Sequence, residues 1–369
     1  MKPGFRVAVV AVALAGLAAA WALMEWSDGV ALNVDSTAAP AGAISLAVLG
    51  DSNSHSYQDR VGFPASSPER GGELRPSTFQ WTEVLGRLRT RELNQGPWGV
   101  WGRHAKVARV REWLGLEGGR WPRKEDYRYN FAYSGAACAD LLTGRQRQAR
   151  RLVELMDQEP ERWRQGVVVV RMGLNDWMRL LDLQARDPAA PEVRAAAAYC
   201  AGEIGRTVAL IHASHPSTRI LLVGLGNEAD DPSYADRWQS AAESANINAA
   251  LDGFNAAVRR LAADAPKVAY FDDLEWFKAN WGARDDSGKP DYKTVAIGPS
   301  LRVTNTLGNE ANHALLADAH AGTVWNALWA QALVVRLNEA FDLKLTPISD
   351  AEVVRFLEPL TGSPKVPGS

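Results

Sequence analysis

The sequence predicts an α/β fold in which a parallel sheet is covered by helices on both faces. Short apolar runs of the strand type cover residues 43–49, 166–172, 219–224 and 267–271. Amphipathic segments of ten to twenty residues with helical spacing lie between them. Strands that alternate in this way with helices favour a parallel sheet with both faces covered. A length of 369 residues allows one large domain with insertions or two smaller domains.

The composition is that of a globular protein with a sizeable core. Hydrophobic residues make up 46% of the chain and charged residues 23%. The net charge of -2 gives no reason to expect nucleic acid or an anionic membrane surface as a partner.

The first 26 residues have the pattern of an export signal. Lys2 and Arg6 precede an apolar stretch, residues 7–24, that contains no charge up to Met24. Its length is borderline for a spanning helix, so residues 1–26 are either a cleaved signal peptide or an N-terminal membrane anchor. Both alternatives predict an exported protein, periplasmic or secreted, whose only membrane contact is this segment. Residues 27–42, rich in Ala, Pro, Ser and Gly, are expected to be a linker.

The first strand ends abruptly at Gly50, Asp51 and Ser52. A serine at the carboxyl end of a first strand lies at the crevice where open α/β sheets bind ligands, which suits a nucleophile. Asp51 is expected to fix the turn. Residues 58–77 are expected to be a loop, and residues 81–93 have helical spacing.

Residues 94–126 are expected to form an insertion. They contain four tryptophans, which are Trp98, Trp101, Trp113 and Trp121. Such tryptophans form either the insertion's own small core or an aromatic platform for sugar.

The middle of the chain repeats the pattern of a strand followed by Gly. Residues 127–133 are expected to be a strand that leads to Gly135, and residues 137–156 a helix. The strand over residues 166–172 leads to Gly173, Leu174, Asn175 and Asp176, and Asp176 is expected to cap the next helix. Cys138 and Cys200, on predicted helices, form either one disulfide or two buried thiols. Two Cys without a clustered His pair do not make a zinc pattern, and no metal is expected.

The last third of the chain contains one long aperiodic stretch. Residues 281–316 are too long for a plain connection and are expected to be a loop over the active site. The final helix is predicted over residues 321–341, and residues 342–369 are expected to be a C-terminal extension.

The order of these motifs resembles the SGNH (GDSL-type) hydrolase superfamily. The resemblance rests on Gly50-Asp51-Ser52, on Gly135 after a strand, on Gly173-Leu174-Asn175-Asp176, and on Asp318 and His320 before the last helix. It covers residues 43–341. It implies a three-layer α/β/α sandwich of the flavodoxin-like type, with a central parallel five-stranded sheet, and it implies no cofactor.

The resemblance also assigns roles in catalysis. Ser52 would be the nucleophile, His320 the base that removes its proton, and Asp318 the group that orients the imidazole. The oxyanion hole would be formed by the backbone N–H groups of Ser52 and Gly135 and the side-chain amide of Asn175.

One spacing departs from the family. Two residues usually separate the Asp from the His, whereas here only Ala319 stands between Asp318 and His320. Glu310 and His313 have the wider spacing but lie farther from the final helix. His313 is therefore the alternative base, and otherwise has a loop or substrate-contact role.

Together these features predict an exported serine esterase. It would remove a short acyl group from a carbohydrate or similar polar ester through a Ser52 acyl-enzyme. The alternatives are acyl transfer to a polysaccharide and a non-catalytic glycan-binding protein. The superfamily fold does not fix the acyl length or the alcohol portion.

Overall fold

The computed structural model describes residues 15–18, 29–31, 40, 42–67, 70, 72–299 and 301–361. Most of the expected signal peptide or anchor over residues 1–26, all but residues 15–18, and most of the expected linker lie outside the described residues. Within the described ranges, no helix is long and apolar enough to cross a membrane.

Five parallel strands form the central sheet. Among the described residues up to position 271, the strands are β1 Gly29–Ala31, β2 Ile44–Gly50, β3 Leu93–Asn94, β4 Trp98–Trp101, β5 Lys124–Tyr127, β6 Val167–Arg171, β7 Arg219–Val223 and β8 Val268–Phe271. The order in the central sheet is β3-β2-β6-β7-β8. In the centre of the sheet Val48 pairs with Val169, and Val169 pairs with Leu221. The predicted strands at residues 43–49, 166–172, 219–224 and 267–271 are confirmed.

Helices cover both faces of this sheet. Among the described residues from position 72 onward, the α-helices are Trp81–Leu88, Ala105–Trp113, Ala139–Leu142, Gln148–Met156, Pro160–Trp163, Leu174–Trp177, Leu181–Arg186, Pro191–Ser214, Ala241–Asp264, Asp273–Trp281, Thr323–Phe341 and Asp350–Thr361. Successive residues of β2 point to opposite faces: Ala47 and Leu49 are buried in one core, Leu46 and Val48 in the other. The first core includes residues of Pro191–Ser214 and Ala241–Asp264, and the second includes residues of Trp81–Leu88 and Thr323–Phe341. The predicted three-layer α/β/α sandwich is therefore confirmed.

The segment that leads to Gly135 differs from the prediction. The strand β5 ends at Tyr127 and belongs to a separate antiparallel sheet, β1-β4-β5. The chain then runs alongside β2, where Phe131 N donates to Val48 O at 2.8 Å and Tyr133 N donates to Gly50 O at 3.1 Å. The predicted helix over residues 137–156 is two helices, broken where Arg147 takes a left-handed φ of 49°. Because β1 pairs with β4, part of the expected linker is also a strand.

The sequence predicts a loop over residues 281–316, but the structure contains strands in this stretch. They are β9 Gly282–Arg284, β10 Pro290–Tyr292, β11 Thr294–Ile297, β12 Leu301–Leu307 and β13 His313–Leu315. These strands make two small sheets, β10-β9 and β11-β12-β13. Beyond the final long helix, Ile348, Val353 and Leu357 are buried in the second core, so this part of the extension packs on the domain.

Candidate active site

A cavity of about 320 Å³ opens at the carboxyl ends of β2, β6 and β7. Its lining includes four of the predicted site residues, Ser52, Asn175, Asp318 and His320, together with Asp51. Gly135 and His313 are not among the described lining residues. The sheet therefore brings the predicted nucleophile and the predicted base to the same crevice, as expected for an open α/β sheet.

The nucleophile turn is held by its own backbone and by Arg171. Ser52 begins a short 3₁₀ helix, and the Asp51 carboxylate accepts a hydrogen bond from Asn53 N at 2.9 Å, which is the turn-fixing role expected for Asp51. A Cβ on Gly50 would lie 2.7 Å from the carbonyl oxygen of Arg171, so the strand end tolerates only glycine. Burial raises the pKa of Asp51 to about 6, against the hydrogen bond from Asn53 and the charge of Arg171.

The Asp318 carboxylate lies beside the His320 imidazole. Oδ2 of Asp318 is 3.2 Å from Nδ1 of His320, and Oδ1 accepts a hydrogen bond from the backbone N of His320 at 3.1 Å. Ala319 between them has a φ of 64°. Burial alone would raise the pKa of Asp318, but His320 and the positive charge of Arg70 hold it below its usual value. With Nδ1 turned toward Asp318, Nε2 is the ring nitrogen available to a hydroxyl in the cavity.

Two of the three predicted oxyanion donors, Gly135 and Asn175, lie on segments that contact each other. Asn175 is on the short helix Leu174–Trp177, and its Nδ2 donates to the carbonyl oxygen of Ala136 at 2.8 Å. Gly135, next to Ala136, is exposed and has a φ of 79°. A Cβ there would meet nothing within 4 Å. The structure therefore requires glycine for its left-handed backbone conformation.

Asp176 does not cap the following helix, contrary to expectation. Its carboxylate accepts a hydrogen bond from Cys138 N at 2.8 Å, at the start of the helix Ala139–Leu142. Cys138 forms a disulfide with Cys200, which decides between the two alternatives left open by the sequence. Asp176 and the disulfide thus hold the segment that follows Gly135.

His313 lies on β13, outside the described cavity lining. Its Nδ1 is 2.8 Å from Oγ1 of Thr306, and its Nε2 is 3.5 Å from a carboxylate oxygen of Glu310. The position of His313 disfavours it as the base.

The sequence analysis missed several charged residues of the site. Arg171, at the end of β6, donates to Asn53 O at 3.0 Å and to Oδ2 of Asp273 at 2.8 Å. A charged residue that ends an all-apolar strand was the available signal. Glu228 and Asp231 also line the cavity. Burial and the neighbouring Asp231 raise the pKa of Glu228 to about 8, and burial also raises the pKa of Asp231.

The tryptophans of residues 94–126 do not line this cavity in the described structure. Trp98 and Trp101 donate their indole N–H groups to Glu125 and to the Asp126 carbonyl, within the insertion itself. Trp113 is 84% exposed. The tryptophans of this insertion therefore provide no aromatic platform for the described cavity.

An α/β/α sandwich with Ser52 at the end of β2 and an Asp/His pair before its last long helix has the arrangement of a hydrolase with a serine nucleophile. A model of the GDSL-like lipase/acylhydrolase family matches residues 48–297, and the chain belongs to this family. It is accordingly an ester-bond hydrolase.

Several solved structures are similar to this chain. The extracellular lipase of Streptomyces rimosus is 17% identical, with 81% of this chain and 100% of that chain covered and a TM-score of 0.40. Phospholipase A1 of Streptomyces albidoflavus NA297 is 16% identical, with 80% and 99% covered and a TM-score of 0.40. The lipase Lip_vut3 from a goat rumen metagenome is 14% identical, with 80% and 97% covered and a TM-score of 0.38. No curated protein matches the chain.

Proposed function

We propose that this protein is an exported serine esterase that removes short acyl groups from a carbohydrate or a similar polar alcohol. The observation that carries the proposal is the shared cavity: Ser52 and His320 both line it, and His320 turns Nδ1 toward Asp318. This is the arrangement that converts a serine hydroxyl into a nucleophile.

In the proposed mechanism Nε2 of His320 takes the Ser52 proton as Oγ attacks the ester carbonyl. Asp318 stabilises the imidazolium that results. The N–H groups of Ser52 and Gly135 and the amide of Asn175 bind the oxyanion. His320 then protonates the leaving alcohol, and water hydrolyses the Ser52 acyl-enzyme with the same base.

The charge of the cavity supports a polar, non-anionic substrate. Asp51, Glu228 and Asp231 line it, while the guanidinium of Arg171 is already paired with Asp273. Carboxyl groups accept hydrogen bonds from hydroxyls, and a protonated Glu228 can also donate one. The carboxylates among them that are ionised repel a phosphate. A volume of about 320 Å³, near the small end for ligand pockets, is consistent with a short acyl group.

Export is supported by the charged and apolar pattern of the first 26 residues and by the disulfide. Disulfides such as Cys138–Cys200 persist in oxidising compartments and are rare in the cytosol of mesophiles. Cell fractionation of a host that expresses the full chain tests this part: activity in the cytosol alone would contradict it.

The catalytic proposal is tested by hydrolysis of aryl esters of increasing acyl length, of acetylated sugars and of an anionic phospholipid. Short aryl esters and acetylated sugars should be the better substrates. The folded variants Ser52→Ala and His320→Ala should lose activity, while His313→Ala should retain it.

Each contrary result has a defined meaning. Full turnover by folded Ser52→Ala would reject the acyl-enzyme. Loss of activity in His313→Ala alone would show that His313, and not His320, is the base. Faster turnover of the phospholipid would reject the substrate class. Acylated glycan with little free acid among the products would show acyl transfer instead of hydrolysis.

A further inference from the structure

Arg70 contacts three separate segments of the candidate active site. It lies in the loop between Ser52 and the helix Trp81–Leu88, and its side chain is only 3% exposed. One terminal nitrogen donates to the carbonyl oxygen of Ser52 at 3.3 Å, and the other donates to Oγ of Ser134 at 3.0 Å. Nε lies 3.7 Å from Oδ2 of Asp318. A single guanidinium therefore touches the nucleophile turn, the turn of Gly135 and the Asp/His pair.

The contact with Asp318 involves atoms that lack other hydrogen-bond partners. Among the described residues, Arg70 Nε, Asp318 Oδ2 and His320 Nδ1 are buried and have no hydrogen bond of good geometry. Oδ2 of Asp318 lies between the other two, at 3.7 Å from Nε and 3.2 Å from Nδ1. The carboxylate is thus shared between a permanent cation and the imidazole.

The surroundings of Arg70 strengthen its charge interactions. The guanidinium carbon lies 4.7 Å from the centre of the Phe63 ring and 5.5 Å from that of Tyr57. Aromatic faces attract a cation and keep water away from it. In such a site a charge acts on its neighbours more strongly than it would in water.

The hydrogen bond from Arg70 to Ser134 is part of a partly buried chain of hydrogen bonds with a fixed direction. Nδ1 of His55 accepts a hydrogen bond from the backbone N of Ser134 at 3.2 Å and lies 3.0 Å from its Oγ. Nε2 of His55 therefore carries the proton, which it donates to Oδ2 of Asp59 at 2.8 Å. The Ser134 hydroxyl donates to His55 and accepts from Arg70, so its orientation is fixed at both ends.

We propose that Arg70 is a positioning residue for ester hydrolysis. It holds the Ser52 turn, the Ser134–Gly135 turn and Asp318 in register, and its charge weakens the field that Asp318 exerts on His320. It is absent from the described cavity lining and acts through these groups instead of touching the substrate. This inference rests on the proposed roles of Ser52, Asp318 and His320.

The positive charge of Arg70 should have an effect on the pH profile that a purely structural role would not have. Replacement of Arg70 by Met removes a positive charge beside Asp318, so the carboxylate stabilises the imidazolium more strongly. The acid limb of the kcat/KM profile should then move to higher pH by roughly half a unit or more. In Arg70→Lys the charge remains, and the limb should stay in place.

The kinetic test compares Arg70→Met, Arg70→Lys and Arg70→Ala with Arg75→Ala. Arg75 lies in the same loop and donates to the carbonyl oxygen of Phe63. The Arg70 variants should lose about tenfold to a hundredfold in kcat with little change in KM, since misplaced reacting groups slow the chemical step. Guanidinium ion at tens of millimolar should restore activity to Arg70→Ala more than sodium chloride of equal ionic strength does. Arg75→Ala should keep its kcat and show no rescue.

The proposal fails if Arg70→Lys keeps full kcat, if the acid limb of Arg70→Met does not move, or if guanidinium gives no rescue. Failure of Arg70→Lys to fold would show a purely structural role and would also overturn it. Ser52→Ala, assayed in parallel, separates the two proposals. If Ser52→Ala is inactive and the Arg70 variants are normal, only the role of Arg70 is rejected. If folded Ser52→Ala is active, the proposed function itself is rejected.

Discussion

Nδ1 of His320 lies 3.2 Å from Oδ2 of Asp318, although only Ala319 separates the two residues along the chain. The backbone makes this possible. Ala319 takes a left-handed φ of 64°, and the backbone N of His320 donates to Oδ1 of Asp318 at 3.1 Å. The turn folds the His320 side chain back onto the preceding carboxylate, so the shortened spacing still pairs the two groups.

The turn at Ala319 predicts opposite effects for two substitutions. Ala319→Gly should retain activity and should not lower the Tm, because glycine adopts positive φ without steric cost. Ala319→Val should destabilise the turn by roughly 1–3 kcal/mol and reduce kcat, because a β-branched residue is strained there. Thermal unfolding and ester hydrolysis by both variants check this. Equal Tm and kcat for the Val and Gly variants would contradict it.

Removal of the Asn175 amide should mainly affect the chemical step. Asn175→Ala is expected to lower kcat by about a hundredfold to a thousandfold with a smaller change in KM, because a lost oxyanion donor acts in the transition state. Since Nδ2 of Asn175 also donates to the carbonyl oxygen of Ala136, Asn175→Ala should also have a somewhat lower Tm.

Asn227→Ala is the matched control for Asn175→Ala. Asn227 lines the same cavity, but its Nδ2 donates to Asn248 at 3.0 Å. It should keep kcat within a few-fold of the unaltered enzyme. A comparable loss of kcat in both variants would show that Asn175 has no special part in catalysis.

The disulfide should stabilise both the fold and the turn of Gly135. Cys138 and Cys200 close a loop with a sequence separation of 62, for which chain entropy gives about 4 kcal/mol. The double variant Cys138→Ser, Cys200→Ser should therefore unfold at lower urea concentration. It should also have a lower kcat, because Cys138 follows Gly135 by three residues.

Reductant provides the control for the disulfide. Dithiothreitol should lower the stability of the unaltered protein toward that of the double variant and leave the double variant unchanged. A double variant as stable and as active as the unaltered protein would contradict the prediction.

The strands of the sheet could be predicted because their signal is local. The buried residues Val167, Val168, Val169 and Val170 are a continuous β-branched run, and such runs identify central strands without knowledge of their neighbours. The position of Ser52 at the end of β2 follows from the same local pattern.

Residues 281–316 could not be predicted in the same way. The strand β11 is four residues long with only Ile297 buried, and β12 alternates irregularly between buried and more exposed positions. β11 and β12 pair with each other, and β12 also pairs with β13, inside the same stretch. Such short, partly exposed strands have no clear hydrophobic period in the sequence.

Arg70 was missed for a related reason. Its loop contains Gly, Pro, Ser and charged residues and has the composition of a solvated connection. The groups that bury and bind its guanidinium lie 18 and 64 residues away, at Ser52 and Ser134, and farther still at Asp318. Only the packed structure shows that this arginine is a buried cation.

The buried imidazole of His55 predicts a pH dependence of stability. Burial, opposed by the hydrogen bond to Asp59, lowers the pKa of His55 from 6.5 to about 4. Between these two values the unfolded chain binds a proton that the folded protein does not bind, so stability is fully present above pH 6.5 and falls as the pH drops toward 4. The loss should be roughly 3 kcal/mol, measured by urea unfolding at a series of pH values.

His55→Gln tests whether this residue is the cause. Glutamine can still accept from Ser134 and donate to Asp59, but it does not titrate, so the decline between pH 6.5 and 4 should become shallower. His104→Gln, at an exposed position, should leave the decline unchanged. Burial alone would raise the pKa of Asp59, but its hydrogen bonds, above all the one from His55, hold this pKa below 3.8. The stability that Asp59 contributes is therefore lost only at pH values below this decline. If His55→Gln and the unaltered protein show the same slope between pH 6.5 and 4, other groups cause the decline and His55 is not buried in its neutral form.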